Sequence, residues 1–225
     1  MAHAMLYLIS FFDCGYADEA IKMFEIETYS EEKILPHLSL LDEWAQRDFI
    51  EYPYLWVRDR EGWGTDLFIN EKKALVTLAK QDGEVIGVAA GLPFDSSALQ
   101  TYFPESLTRL SARQGYDASQ ILYMSIFLTA PNWRNDPALV KAIYHNYVNY
   151  AKTLGKKKIC YFEDIGKQKE HPLKPQVAIP IEPWGYALHG FKNMGFQLNV
   201  PWMTLQVDGS AKEENHCVEF FIQDL

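Results

Sequence analysis

Two adjacent carboxylates, Glu163 and Asp164, end an apolar run over residues 159–162. Ligands of α/β sheets bind beyond the carboxyl ends of parallel strands, and a carboxylate in that place can act as a general base. A solvated strand end is the simpler interpretation of either carboxylate taken alone. Only its location favours Glu163 as the base. Three side chains could supply the matching acid: Tyr161, Tyr186 and His189.

The segment that must position these groups reads as a strand–helix–strand unit. Residues 121–130 form a nearly continuous apolar run, which is typical of a strand covered on both faces. Asp136 followed by Pro137 predicts a helix start, and apolar residues at helical spacing continue up to Gly155. Residues 159–162 supply the second strand, so the two strands should be parallel. The N–H groups at the start of the helix could hold an anion.

Local patterns predict the remaining elements. Asp82-Gly83 supplies the positive φ angles of a tight turn between the apolar runs 74–79 and 85–90, which predicts a β-hairpin. The other predictions are a first strand over 5–9, helices over 17–29, 30–49 (interrupted near Pro36), 105–114 and 184–194 (ended by Gly195), and a strand over 202–207. Residues 208–216 read as a surface loop, and the apolar segment 217–222 as either a terminal strand or a homodimer contact.

Composition narrows the classes of protein. The chain has 225 residues, 48 % of them hydrophobic and 23 % charged, which excludes wholesale disorder. Its net charge of −9 disfavours a nucleic-acid partner, because phosphates attract basic surfaces. The apolar N-terminal run lacks a positive leader and is far shorter than the ~20 residues that span a bilayer. We therefore expect a cytoplasmic protein that binds no membrane. The three cysteines lack ligand spacing, so no metal site is expected.

Five short motifs follow one another along the chain: residues 52–55 (YPYL), 87–93 (GVAAGLP), 131–134 (PNWR), 171–175 (HPLKP) and 191–196 (FKNMGF). Together with the element order, they resemble one bacterial branch of the GNAT superfamily of N-acetyltransferases over most of residues 50–207. The resemblance implies a single α/β domain with a mixed (α+β) sheet, mostly antiparallel, in which a central pair of parallel strands splays apart between flanking helices. Its parts would be residues 1–70, 71–165 and 166–225.

The resemblance also implies a function: direct transfer of an acetyl group from acetyl-CoA to the amine of a small molecule or peptide. Phe127, Leu128 and Thr129 would line the thioester arm of acetyl-CoA, between the splayed strands. The pyrophosphate would lie on the turn that starts the long helix: Arg134, Asn135, Asp136, Pro137, Ala138 and Leu139. The residues themselves, and not the resemblance, supply Glu163 as the candidate base and Tyr186 as the candidate acid, with a water chain as the alternative.

Three departures from the superfamily pattern keep other functions open. The pyrophosphate turn has no glycine, and Asp136 adds a negative charge beside the expected anion. Ile126 stands where many relatives carry a carboxylate, and Phe191 where many carry a tyrosine acid. The alternatives are a non-catalytic protein that senses an acyl-CoA or another ligand, and a protein-interaction module that has lost the cofactor.

Overall fold

The computed structural model describes residues 5–7, 24–51, 54–58, 66–69, 71–103, 105–134, 136–164, 173 and 190–225. The strands in these ranges are β1 (Met5–Tyr7), β2 (Phe24–Ser30), β3 (Leu75–Gln81), β4 (Glu84–Pro93), β5 (Ile121–Thr129), β6 (Lys158–Asp164), β7 (Lys192–Leu205) and β8 (Ala211–Asp224). They form one sheet in the order β1-β2-β3-β4-β5-β6-β8-β7. Only β5 and β6 pair in parallel within the described ranges. This confirms the predicted mixed sheet.

Helices cover both faces of the sheet. They are α1 (Leu38–Phe49), α2 (Asp66–Ile69), α3 (Ser97–Tyr102), α4 (Leu107–Arg113) and α5 (Pro137–Thr153). The described part of the chain also has short 3-10 helices at Glu31–His37, Ala118–Gln120 and Pro131–Trp133. One apolar core lies between the sheet and α5. The other lies between the sheet and the four shorter helices, α1 to α4. None of the helices in the described part of the chain combines the length and the apolar character that crossing a bilayer requires.

Helix α5 forms where its sequence predicts it. The Asp136 side chain caps the first turn, and Pro137 takes the first helical position, where no N–H is needed. Leu139, Ile143 and Tyr147 recur on the face that packs against the sheet. The helix stops before Gly155, which adopts a φ of 73°.

The β3–β4 hairpin also matches its local signal. Asp82 and Gly83 have φ values of 53° and 83°, the positive pair that a type I′ turn requires. The hairpin brings the small residues 87–91 of β4 alongside β5.

The predicted helix over 17–29 is wrong from Phe24 onward, and residues 17–23 lie outside the described ranges. Phe24 and Ile26 are buried and Glu25 is exposed, so burial repeats every two residues, as in a strand. Pairing with both β1 and β3 fixes this segment as a strand of the sheet. Those contacts are with segments distant in sequence, which a local helical pattern does not report.

The chain after residue 190 also differs from its predicted elements. The helix over 184–194 is wrong from Lys192 onward, where β7 begins; residues 184–189 are outside the described ranges. Gly195, with a φ of 82°, lies at an irregularity inside β7 and does not end a helix. The loop over 208–216 is wrong from Ala211, where β8 begins. Residues 217–222 belong to β8, and residues 218–222 pair with β6, as the terminal-strand interpretation predicts.

Gly91 of β4 occupies a place where no side chain fits. A Cβ there would collide with the backbone oxygen of Tyr123 and the hydroxyl of Tyr147. At Gly87, on the same strand, the obstructing atom is the flexible end of Ile143. We expect Gly91→Ala to lower the free energy of unfolding by about 2 kcal/mol or more, and Gly87→Ala to cost clearly less. Denaturant unfolding of both variants measures this, and equal losses would contradict the close approach at Gly91.

Candidate active site

Strands β5 and β6 are joined at their beginnings and part further along. Their paired residues are Ile121 with Lys158, Leu122 with Ile159, and Tyr123 with Cys160. Beyond Tyr123, β5 runs on to Thr129 and β6 to Asp164, with no further pairing between them in the described residues. The central parallel pair therefore splays as predicted, and a cleft opens between residues 124–129 and 161–164.

A β-bulge marks the point of divergence. Ala90 of β4 pairs with Ile126 and Gly91 pairs with Met124, so Ser125 is an extra residue on β5. The Ser125 hydroxyl donates to the backbone oxygen of Ala90 at 3.3 Å. Bulges bend a strand and redirect its side chains, and they are frequent beside active sites.

A cavity of about 180 Å³ lies at the same point. Met124, Ser125 and Ile126 of β5 and Phe162 of β6 form the part nearest the cleft. The remaining wall comes from α1, the segment that follows it, α2, α3 and β7. Half of the lining residues are aromatic, and none of the lining residues in the described ranges carries a charge. Tyr54 and Trp56 lie in this wall.

Trp202 of β7 is a fixed part of that wall. Its indole N–H donates to the backbone oxygen of Tyr54 at 3.0 Å. Its ring stacks on the imidazole of His216, with 3.5 Å between centroids and 11° between planes. Both contacts hold the indole in one orientation, so the cavity has a defined shape.

Behind Trp202 runs a buried line of polar side chains. Nδ1 of His216 lies 2.7 Å from Oδ2 of Asp164, and Nε2 lies 2.7 Å from Oγ1 of Thr204. All three side chains are buried. His216 lies in the predicted surface loop 208–216 and is not among the site residues that the sequence predicts. Its signal was the alternation of His216, Val218 and Phe220, which face the core from one side of β8.

Glu163 lies at the carboxyl end of β6, next to Phe162, and is 8 % exposed. Burial and the nearby Asp164 raise the pKa of Glu163 to about 7. Its Oε2 is buried with no hydrogen-bond partner in the described part of the chain, whereas Asp164 contacts His216. The alternation of β6 puts Glu163 on the opposite face from Phe162, and Glu163 is not among the residues that line the cavity. Near neutral pH such a carboxylate can accept a proton.

Tyr54, in the cavity wall, is also ionisable. Burial raises the pKa of Tyr54, and the charges of Glu163 and Asp164 raise it further. Its hydroxyl therefore stays protonated and is a weaker acid than an ordinary tyrosine hydroxyl. Tyr186, the predicted acid, and His189 lie outside the described residues. Tyr161 is on β6 and packs against Phe191 and Phe221.

The residues predicted to line a thioester arm lie along the cleft. Phe127 packs on the α5 side of the sheet, and Leu128 is buried on the opposite side. The backbone oxygen of Thr129 accepts from the Arg47 guanidinium at 3.1 Å, which ties the end of α1 to β5. Ile126 lines the cavity, while Phe191 is buried in the α5-side core.

The turn that starts α5 does not fit a diphosphate. Oδ1 of Asp136 accepts from the N–H groups of both Ala138 and Leu139, at 3.0 Å each. Pro137 has no N–H. Arg134 donates to Asp48 at 2.6 Å and to Glu51 at 3.4 Å. Asn135 is outside the described residues. The structure thus places Phe127, Leu128 and Thr129 on the β5 side of the cleft. In the turn, Asp136 binds two N–H groups, and Arg134 binds carboxylates outside the turn.

Comparisons with solved structures identify the fold. The chain is similar to a ribosomal-protein-alanine N-acetyltransferase from Brucella melitensis, with 15 % identity, a TM-score of 0.52, and 88 % of this chain and 99 % of that chain covered. For the ribosomal-protein-S18-alanine N-acetyltransferase of Escherichia coli the values are 10 %, 0.51, 88 % and 93 %. For yncA of Salmonella typhimurium, solved with acetyl-CoA, they are 13 %, 0.52, 89 % and 94 %. No family model and no curated protein sequence matches the chain. The chain has the GNAT acetyltransferase fold.

Proposed function

We propose that the chain is an N-acetyltransferase that moves an acetyl group directly from the thioester of acetyl-CoA to an amine with a bulky apolar substituent. The observation that carries this proposal is the coincidence of the β5–β6 cleft with the cavity. The cleft suits the thioester arm, and the cavity suits the acceptor. The two meet at the Ser125 bulge, where the reacting carbonyl and the amine would come together.

The walls of the cavity define the class of acceptor. A dry apolar cavity of about 150 Å³ is large enough to hold a benzene ring, and this one has about 180 Å³. Its uncharged, largely aromatic lining favours a ring or a branched alkyl group and disfavours a polyamine or a sugar, whose polar groups would lose their hydration. The substrate amine would therefore point towards the cleft, with its apolar substituent among Phe49, Trp56 and Trp202.

The chemistry needs one base and one acid. Glu163 takes a proton from the acceptor ammonium, so that the nitrogen lone pair can bond to the acetyl carbon. The carbon–sulfur bond then breaks, and the thiolate leaves with its electron pair and is protonated. The second nitrogen proton is lost to water. Tyr186 remains the predicted acid, because the raised pKa of Tyr54 makes the hydroxyl of that cavity residue a poor proton donor.

A panel of amines tests the proposal. With acetyl-CoA present, we expect thiol release with 2-phenylethylamine and tryptamine at a kcat/KM at least tenfold above that with putrescine or glucosamine. A preference for the polar amines would contradict the apolar acceptor site.

A non-catalytic protein, either a ligand sensor or an interaction module, is the second candidate. The α5 turn favours a non-catalytic protein, because Asp136 occupies the N–H groups that would hold the diphosphate of CoA. A rise in melting temperature with CoA, but no thiol release across the panel, would support the sensor. No thermal shift at millimolar acetyl-CoA would leave an interaction module.

A further inference from the structure

The first turn of α5 has no N–H group left for an anion. A helix begins with donors that lack intrahelical partners, and an incoming phosphate could bind them. Here the Asp136 carboxylate holds the N–H groups of Ala138 and Leu139. Val140 donates to the backbone oxygen of Asp136 at 3.1 Å, and Pro137 has no donor. A diphosphate would have to displace a carboxylate that already has two charge-assisted hydrogen bonds.

The two arginines near this turn, Arg47 and Arg134, are also committed. Asp48 of α1 bridges two arginines: it accepts from Arg47 through both carboxylate oxygens at 2.7 Å and from Arg134 at 2.6 Å. Arg134 reaches Glu51 as well. A diphosphate at the α5 turn would therefore meet the negative charge of Asp136 without a compensating unpaired arginine among these residues.

The other half of the donor site has no such obstacle. The cleft between β5 and β6 opens at Tyr123 and leads to the cavity at Ser125. The part of the donor that enters the cleft is the pantetheine arm, which is uncharged.

On these grounds we infer that the protein recognises its acyl donor through the pantetheine thioester alone, and that the nucleotide diphosphate contributes little to binding. This inference rests on the proposed acetyl transfer. It names the donor class as acetylated pantetheine, of which acetyl-CoA is one member.

Isothermal titration of the wild-type protein with pantetheine and with CoA tests the inference, and turnover with S-acetylpantetheine and acetyl-CoA is measured beside it. We expect dissociation constants for the two thiols within about threefold, and similar kcat/KM for the two thioesters.

The variant Asp136→Ser supplies the matched test. Serine also caps helices, so the start of α5 is retained while the negative charge is lost. We expect CoA to bind at least fivefold more tightly to Asp136→Ser and pantetheine to bind as before. The control is Asp117→Ser, which changes the same type of cap at the 3-10 turn Ala118–Gln120; it should leave both affinities unchanged.

Two outcomes would overturn the inference, and they differ in what else they imply. If wild-type protein binds CoA more than tenfold tighter than pantetheine, the diphosphate is recognised, and the proposed acetyl transfer still stands. If neither thiol binds and neither thioester reacts, the proposed function fails together with the inference.

Discussion

The substitution Glu163→Gln should lower kcat/KM for acetyl transfer by about 10²-fold or more, within the range typical of losing a general base. The amide keeps the shape of the side chain but cannot accept the ammonium proton. In the wild-type protein, kcat/KM should rise with pH and level off above the pKa of Glu163, about 7. That limb should be absent from the variant. Initial rates between pH 5.5 and 8.5 with 2-phenylethylamine measure both effects.

The control for this prediction is Glu219→Gln. Glu219 of β8 is the cross-strand neighbour of Glu163, and its carboxylate accepts from Asn193 and Gln197. We expect less than a threefold change in kcat/KM. Full activity and an unchanged pH profile in Glu163→Gln would exclude Glu163 as the base.

Glu163→Gln should also make the protein more stable at neutral pH. The folded state holds the Glu163 proton up to about pH 7, whereas the unfolded chain releases it near 4.5. Wild-type stability is therefore lost as the pH rises from about 4.5 to 7, in total by about 3 kcal/mol. Glutamine has no such loss. We expect Glu163→Gln to match the wild type near pH 4 and to exceed it by roughly that amount at pH 8.

The second large effect is expected from filling the cavity. Ala45 of α1 lines it, so Ala45→Leu places three additional carbon atoms inside. We expect the KM for 2-phenylethylamine to rise at least tenfold. The free energy of unfolding should rise by about 1 kcal/mol, as is common when a cavity is filled. Steady-state kinetics and urea unfolding of one preparation give both values.

A leucine in a packed region should act in the opposite way. Ala151 of α5 is fully buried in the core on the other face of the sheet, and Ala151→Leu should lower the free energy of unfolding by about 1–3 kcal/mol while leaving the KM unchanged. If Ala45→Leu left the KM unchanged, the acceptor would bind elsewhere.

The elements predicted correctly from the sequence are those whose signals are local. Helix α5 has its cap, its apolar spacing and its terminal Gly155 within one segment, and the β3–β4 turn needs only Asp82 and Gly83. Strand β2 and the start of β7 depend on pairing with distant strands, which local patterns do not reveal.

The candidate site likewise has some features that are visible in the sequence and others that only the fold assembles. The sequence predicts Glu163 as the base because strand ends are visible in it, but the raised pKa of Glu163 depends on burial by residues that only the fold assembles. The side chains around the cavity come from elements between α1 and β7. His216 contacts Asp164 of β6 and Trp202 of β7, which both lie on other strands. The sequence at Asp136 predicts a helix start whose N–H groups could bind either a phosphate or the Asp136 side chain. In the structure they bind the Asp136 side chain.

The central claim is that the gap between β5 and β6 receives the thioester arm. An experimental structure of the protein with a non-cleavable acetyl-CoA analogue tests it most directly. The account predicts density for the arm between residues 124–129 and 161–164, with the acetyl end beside Ser125 at the mouth of the cavity. An arm bound elsewhere, or two strands closed together over this stretch, would contradict it.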